Sequence, residues 1–137
     1  MSLIESYSIK DEGYSPFLIS DGWQVAQLNY IDDQHINNID KIEVHYQTDE
    51  VFVLLEGRAI LITVNIINDE LIFEANLMKP HVTYNIPKGV WHNIAMEKEC
   101  EVLIVEKSNT HINDVAYRLL KESQIVDLRF KLEKILK

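Results

Sequence analysis

The stretch over residues 43–57, Glu-Val-His-Tyr-Gln-Thr-Asp-Glu-Val-Phe-Val-Leu-Leu-Glu-Gly, constrains the fold more than any other part of the chain. Residues 41–47 alternate with period two. That spacing puts Ile42, Val44 and Tyr46 on one face of a strand and Lys41, Glu43, His45 and Gln47 on the other. Thr48-Asp49 breaks the run. Residues 50–56 form a strongly apolar strand closed by Gly57, which permits a positive φ in the connection.

The rest of the chain repeats this grammar of short strands and polar turns. Residues 1–20 have weak periodicity and predict irregular structure or a short edge strand. Residues 23–31 alternate as a strand, and the Asp/Asn/Gln-rich residues 32–40 predict a loop. His35 falls in that loop and is left outside any site. Residues 58–67 and 71–77 flank the turn Asn68-Asp69-Glu70 and predict a hairpin. Further strands are expected over 80–86, 90–96 and 101–106. Pro87-Lys88-Gly89 and Glu97-Lys98-Glu99 supply the turns between them. Some eight short strands at close spacing point to a sandwich or barrel.

The period changes near Leu120. Ile125, Leu128, Leu132 and Ile135 or Leu136 recur at intervals of three to four, which is the stripe of an amphipathic helix. Ser123 is the expected N-cap, and Lys131, Lys134 and Lys137 suit the negative end of the dipole. The expected organisation is a β-barrel over 1–110 and a helical extension over 111–137, packed on the barrel or on a partner, as one domain overall.

A chain of 137 residues suits one domain with a real core. Thirteen basic residues against twenty-two acidic ones, a net charge of −9, oppose nucleic-acid binding. One cysteine, Cys100, excludes an intrachain disulfide and fits a reducing cytoplasm. No secretory leader or membrane span is expected, since no apolar stretch approaches about 20 residues. Acidic neighbours make Cys100 a poor nucleophile, and His111 is expected at the surface.

Two segments together resemble the cupins, small jelly-roll barrels with two sequence motifs. The first motif has the form G-x5-H-x-H-x3 or 4-E-x6-G. Glu43-x-His45-x4-Glu50-x6-Gly57 matches its spacing, with Glu43 where the family has its first histidine. The second has the form G-x5-P-x-G-x2-H-x3-N. Pro87-x-Gly89-x2-His92 matches its core, with Met96 in place of the closing Asn. Asn37 and His81 stand at the leading glycine positions. The likeness spans roughly residues 25–107.

The resemblance implies an all-β, cupin-like jelly-roll β-barrel with a C-terminal amphipathic α-helix. It also implies a pocket in which His45, Glu50 and His92 hold a divalent transition metal. Glu43 is then a fourth ligand or a nearby general base. The extra carboxylate hardens the set toward Fe, Mn or Ni, with Zn also able to bind. Metal-dependent oxygenases and isomerases are the enzyme classes this implies. Two other readings stand beside it: a metal-free module that binds a small, sugar-like molecule, and a metal-free isomerase using histidine and carboxylate as acid and base. The expected partners are a small-molecule ligand in the barrel and a second copy of the chain. A homodimer follows from the apolar outward face of Val51, Val53 and Leu55.

Overall fold

The computed structural model describes residues 2–137. Ten strands and two α-helices build the fold, both helices lying near the end of the chain with the last strand between them. In order they are β1 (Gly13–Ile19), β2 (Gln24–Asn29), β3 (Lys41–Val44), β4 (Glu50–Glu56), β5 (Ala59–Ile67), β6 (Glu70–Leu77), β7 (Thr83–Ile86), β8 (Trp91–Met96), β9 (Glu101–Glu106), α1 (Thr110–Asn113), β10 (Ala116–Leu119) and α2 (Glu122–Leu136). They form two five-stranded antiparallel sheets, β1-β2-β9-β4-β7 and β10-β3-β8-β5-β6. The fold is all-β, a jelly roll with a C-terminal helix. Its two sheets face each other without a ladder closing them into a true barrel.

Periodicity tracks which faces are covered. The first sheet is covered on its inner face, so β9 alternates strictly between half-buried and buried residues. β5 belongs to the second sheet, and its first four residues are all buried because both faces are covered. Ala59 and Leu61 point into the space between the sheets with Phe52, Leu54, Met96 and Ile104. Ile60, Ile62 and Val64 point outward, under Leu128 and Leu132 of α2. The helix thus docks on this chain's own sheet, and the Lys131 ammonium reaches the Phe73 carbonyl at 3.2 Å. No helix among the described residues is long and apolar enough to cross a membrane.

Two local expectations are corrected. Ser123 lies inside the first turn of α2 and does not cap it; the cap is Lys121, whose backbone N–H donates to the Gln124 side-chain oxygen at 2.8 Å. Residues 116–119, placed with the helical extension, instead pair with β3 as an edge strand. The edge strand expected within residues 1–20 is present as β1, whose register shifts at Pro16, the kind of position where a missing N–H is tolerated.

Two turns position the pocket. Gly57 has φ +79, and a Cβ there would lie 2.8 Å from the Cys100 Cα. The residue therefore lets the chain cross from β4 in one sheet to β5 in the other. Gly89 has φ +82, and its N–H donates to the His45 carbonyl at 2.7 Å. The Asp49 carboxylate accepts the Lys88 N–H at 3.0 Å and the Asn85 amide at 3.1 Å, tying this turn to the loop before β4.

Candidate functional site

The two sheets are apolar at one end of their interface and polar at the other. Along β4, Glu50 shares its inward face with Phe52 and Leu54. Along β9, Glu106 shares its face with Val102 and Ile104. The pairs Val51↔Val105 and Phe52↔Ile104 put Glu50 and Glu106 at the same end. From the second sheet, Glu43 pairs with His92, and His45 follows β3 on the face that carries Glu43. Strand alternation thus converges three carboxylates and two imidazoles above an apolar floor.

Glu50 is the hub. Its Oε1 accepts from His45 Nε2 at 3.0 Å and from His92 Nε2 at 2.9 Å. Glu43 Oε2 lies 3.6 Å and Glu106 Oε2 4.0 Å from His45 Nε2. All four residues singled out in the sequence, Glu43, His45, Glu50 and His92, meet here. They fall into overlapping sets: ligand atoms of Glu43, His45 and His92 lie within 4.8 Å of one another, as do those of His45, Glu50 and Glu106.

Each imidazole is held from behind. His45 Nδ1 donates to the Asp114 carbonyl at 2.7 Å, and His92 Nδ1 donates to the Val90 carbonyl at 2.9 Å. With both nitrogens facing acceptors, only the doubly protonated ring satisfies every contact of the metal-free cluster. Burial alone would depress the basicity of His45. The hydrogen bond and charge of Glu50 outweigh it and push the ring up to about 9. His92 moves up for the same reasons. Burial would raise Glu50, but the two N–H donors hold its carboxyl below the usual range. Glu43 is raised by burial and by the charge on Glu50.

A cavity of about 220 Å³ opens above the cluster, its wall including Tyr14, Lys41, Glu106, His111, Val115 and Tyr117. Three of these extend the site beyond the sequence reading. Glu106 is buried and is pushed up to about 7, first by burial and then by Glu50. Tyr14 donates its hydroxyl to Glu106 Oε1, and the Gln24 amide lies 3.3 Å from the same oxygen. His111, expected at the surface, is instead part of the cavity wall, 3.1 Å from the Gln24 amide. The signal for Glu106 was present: it ends an alternating run whose other inward members are apolar. Tyr14 lies where periodicity is weak and offered none; Gln24 opens an alternating run whose next inward members are Ala26 and Leu28.

His35 stays outside this cluster, edge-on to Tyr30. Cys100 is fully buried at the apolar end, and burial with Glu101 and Glu97 pushes its thiol up to about 12, as expected of an inert residue.

No protein-family model matches the sequence, and no curated protein is similar to it. Solved structures match in shape. An RmlC-like cupin with a double-stranded β-helix fold from Methanocaldococcus jannaschii shares 12% identity at TM-score 0.55, over 81% of this chain and 96% of that one. Protein BH2720 from Bacillus halodurans shares 16% at TM-score 0.56, over 85% and 83%. The QdtA 3,4-ketoisomerase from Thermoanaerobacterium thermosaccharolyticum, a double mutant in complex with TDP, shares 20% at TM-score 0.50, over 79% and 72%. At these identities the likeness establishes the fold, which is that of the cupins.

Proposed function

We propose that this cupin-fold chain holds a divalent transition metal on His45, Glu50 and His92, with Glu43 beside them, and takes a small metabolite into the cavity above. The observation that carries the reading is the pair of carbonyl clamps. Asp114 and Val90 hold the Nδ1 protons, so that both Nε2 atoms converge on one carboxylate oxygen. This is the outer-shell arrangement that fixes the tautomer of metal-ligating histidines. Exchanging the two Nε2 protons for one divalent cation would leave the charge of the cluster unchanged. With imidazole and carboxylate donors and no thiolate, the set suits Fe, Mn or Ni, with Zn also able to bind.

A metal there would supply Lewis-acid polarisation of a bound oxygen or carbonyl. The chain's own residues would do the rest. Phe52, Leu54 and Ile104 exclude water from below. Glu43, half-buried at the pocket wall with its carboxyl raised by burial and by Glu50, could accept or return a proton from a bound molecule. Lys41, set 4.7 Å over the Tyr117 ring, places a cation in the pocket wall, where a substrate anion would be oriented. An oxygenase or an isomerase would use such a pocket.

The test is metal analysis of protein purified without chelator. A stoichiometric transition metal, lost in Glu50→Ala and His92→Ala, is the expected result. A chain that stays metal-free after loading with Fe(II), Mn(II) and Ni(II) overturns the reading. One observation favours a second reading in that event. The His45–Glu50–His92 hydrogen bonds satisfy one another without any ion, as a metal-free binding or acid–base pocket requires.

The homodimer belongs to the same proposal. Leu55 is 46% exposed on the outward face that also carries half-buried Val51 and Val53. A monomeric mass in solution at micromolar concentration would refute it.

A further inference from the structure

Among the described residues, two buried side-chain atoms have no hydrogen-bond partner, and one is Glu106 Oε2. Its sister oxygen is well served: Tyr14 and Gln24 both donate to Oε1. The side chain is only 2% exposed, and the free oxygen faces His45 Nε2 at 4.0 Å. A buried carboxylate oxygen with no donor is costly to maintain, so its persistence marks a missing cation or donor.

We infer that Glu106 is an additional ligand of the metal, its free Oε2 joining His45, Glu50 and His92 from the β9 strand. This rests on the metal reading proposed above. The separations around His45 and Glu50 suit a shared sphere. With bonds of about 2.1 Å, neighbouring ligand atoms lie about 3 Å apart and opposite ones about 4.2 Å. Glu50 Oε1 stands 3.0 and 2.9 Å from the two Nε2 atoms, as neighbours do. Glu106 Oε2 at 4.0 Å and Glu43 Oε2 at 3.6 Å from His45 Nε2 fall between the two limits. Tyr14 and Gln24 then serve as outer-shell donors that orient the carboxylate. Three carboxylates and two imidazoles exceed the four donors of a tetrahedral zinc site. They favour ions that accept five or six ligands, such as Mn(II) or Fe(II).

The test titrates Mn(II) and Co(II) into the full-length chain, stripped with chelator, for wild type, E106Q, E106D and Y14F. E106Q should weaken Mn(II) binding by at least about tenfold and change the visible absorption of bound Co(II). E106D, which keeps the charge but draws the oxygen back by one carbon, should fall between; it decides the matter if E106Q fails to fold. Y14F frees Oε1 but leaves Oε2 available. It should weaken binding less than E106Q does and keep the wild-type Co(II) spectrum. A wild-type Co(II) spectrum in E106Q, with Mn(II) affinity within about twofold of wild type, overturns the assignment and leaves the metal reading intact. A wild-type chain that takes up neither ion overturns both.

Discussion

The backbone carbonyl of Asp114 accepts the Nδ1 proton of His45 at 2.7 Å across 69 residues of sequence. The orientation of a pocket histidine is therefore set by a residue outside both motif segments. The Asp114 carboxylate completes the clamp by accepting the N–H groups of Tyr46 at 2.9 Å and Gln47 at 2.8 Å.

Asp114→Ala removes both side-chain bonds and frees the loop that follows His45. We expect a loss of about 1–2 kcal/mol in chemical denaturation. We also expect metal affinity to fall by about tenfold, through misorientation of the ring. Asp114→Asn retains an acceptor and should recover part of each. Unchanged affinity in the alanine variant would show that His45 holds its orientation without the Asp114 carboxylate.

The metal-free protein should lose stability as pH rises from about 5 to 9. His45 titrates near 9 when folded, against 6.5 when unfolded. Its contribution is full below the unfolded value and is lost as pH passes through the folded one. Glu106 titrates near 7 when folded, against 4.5 when unfolded, so the native state binds the extra proton and the slope has the same sign between those values. Denaturation midpoints at pH 5, 7 and 9 check this. Metal affinity should move the opposite way and rise with pH, because binding expels the Nε2 protons.

Gly57→Ala should destabilise the fold by about 2 kcal/mol or more. The φ of +79 penalises any Cβ, and this one would meet the Cys100 backbone at 2.8 Å. Guanidinium titration measures the loss. A variant as stable as wild type would mean that the 99–101 turn yields.

Leu132→Ala should cost about 3 kcal/mol, since the side chain is fully buried between α2 and the outer face of the β5 sheet. Phe130→Ala, on the exposed side of the same helix at 67% exposure, should stay within about 0.5 kcal/mol of wild type. Equal losses in both would place the docking face elsewhere.

Period-two spacing was enough to put Glu43 and His45 on one face, and motif spacing brought Glu50 and His92 to them. Those signals are local or nearly so. Alternation marks Glu106 as inward-facing, but bringing it beside Glu50 required the β4–β9 register, a pairing between distant segments. His111 looked like a surface residue because the loop that carries it is polar; its hydrogen bond to Gln24 and its ring contact with Tyr14 draw it into the wall. Ser123 had the right chemistry for a cap, but the cap lies two residues earlier, at Lys121, whose N–H donates to the Gln124 side chain. His81 stands where the resembled motif has glycine and still adopts φ +67, so the backbone requirement outlived the residue that usually meets it.

The wall formed by His111, Val115 and Tyr117 has a consequence in time. A chain leaves the ribosome N-terminus first, and every strand of both facing sheets except β10 is complete by Glu106. At that point both imidazoles and all three carboxylates exist, yet one side of the mouth is open and nothing holds His45 from behind. The pocket is thus closed only after residues 107–137 have followed, when β10 pairs with β3 and the helix seals the sheet from outside.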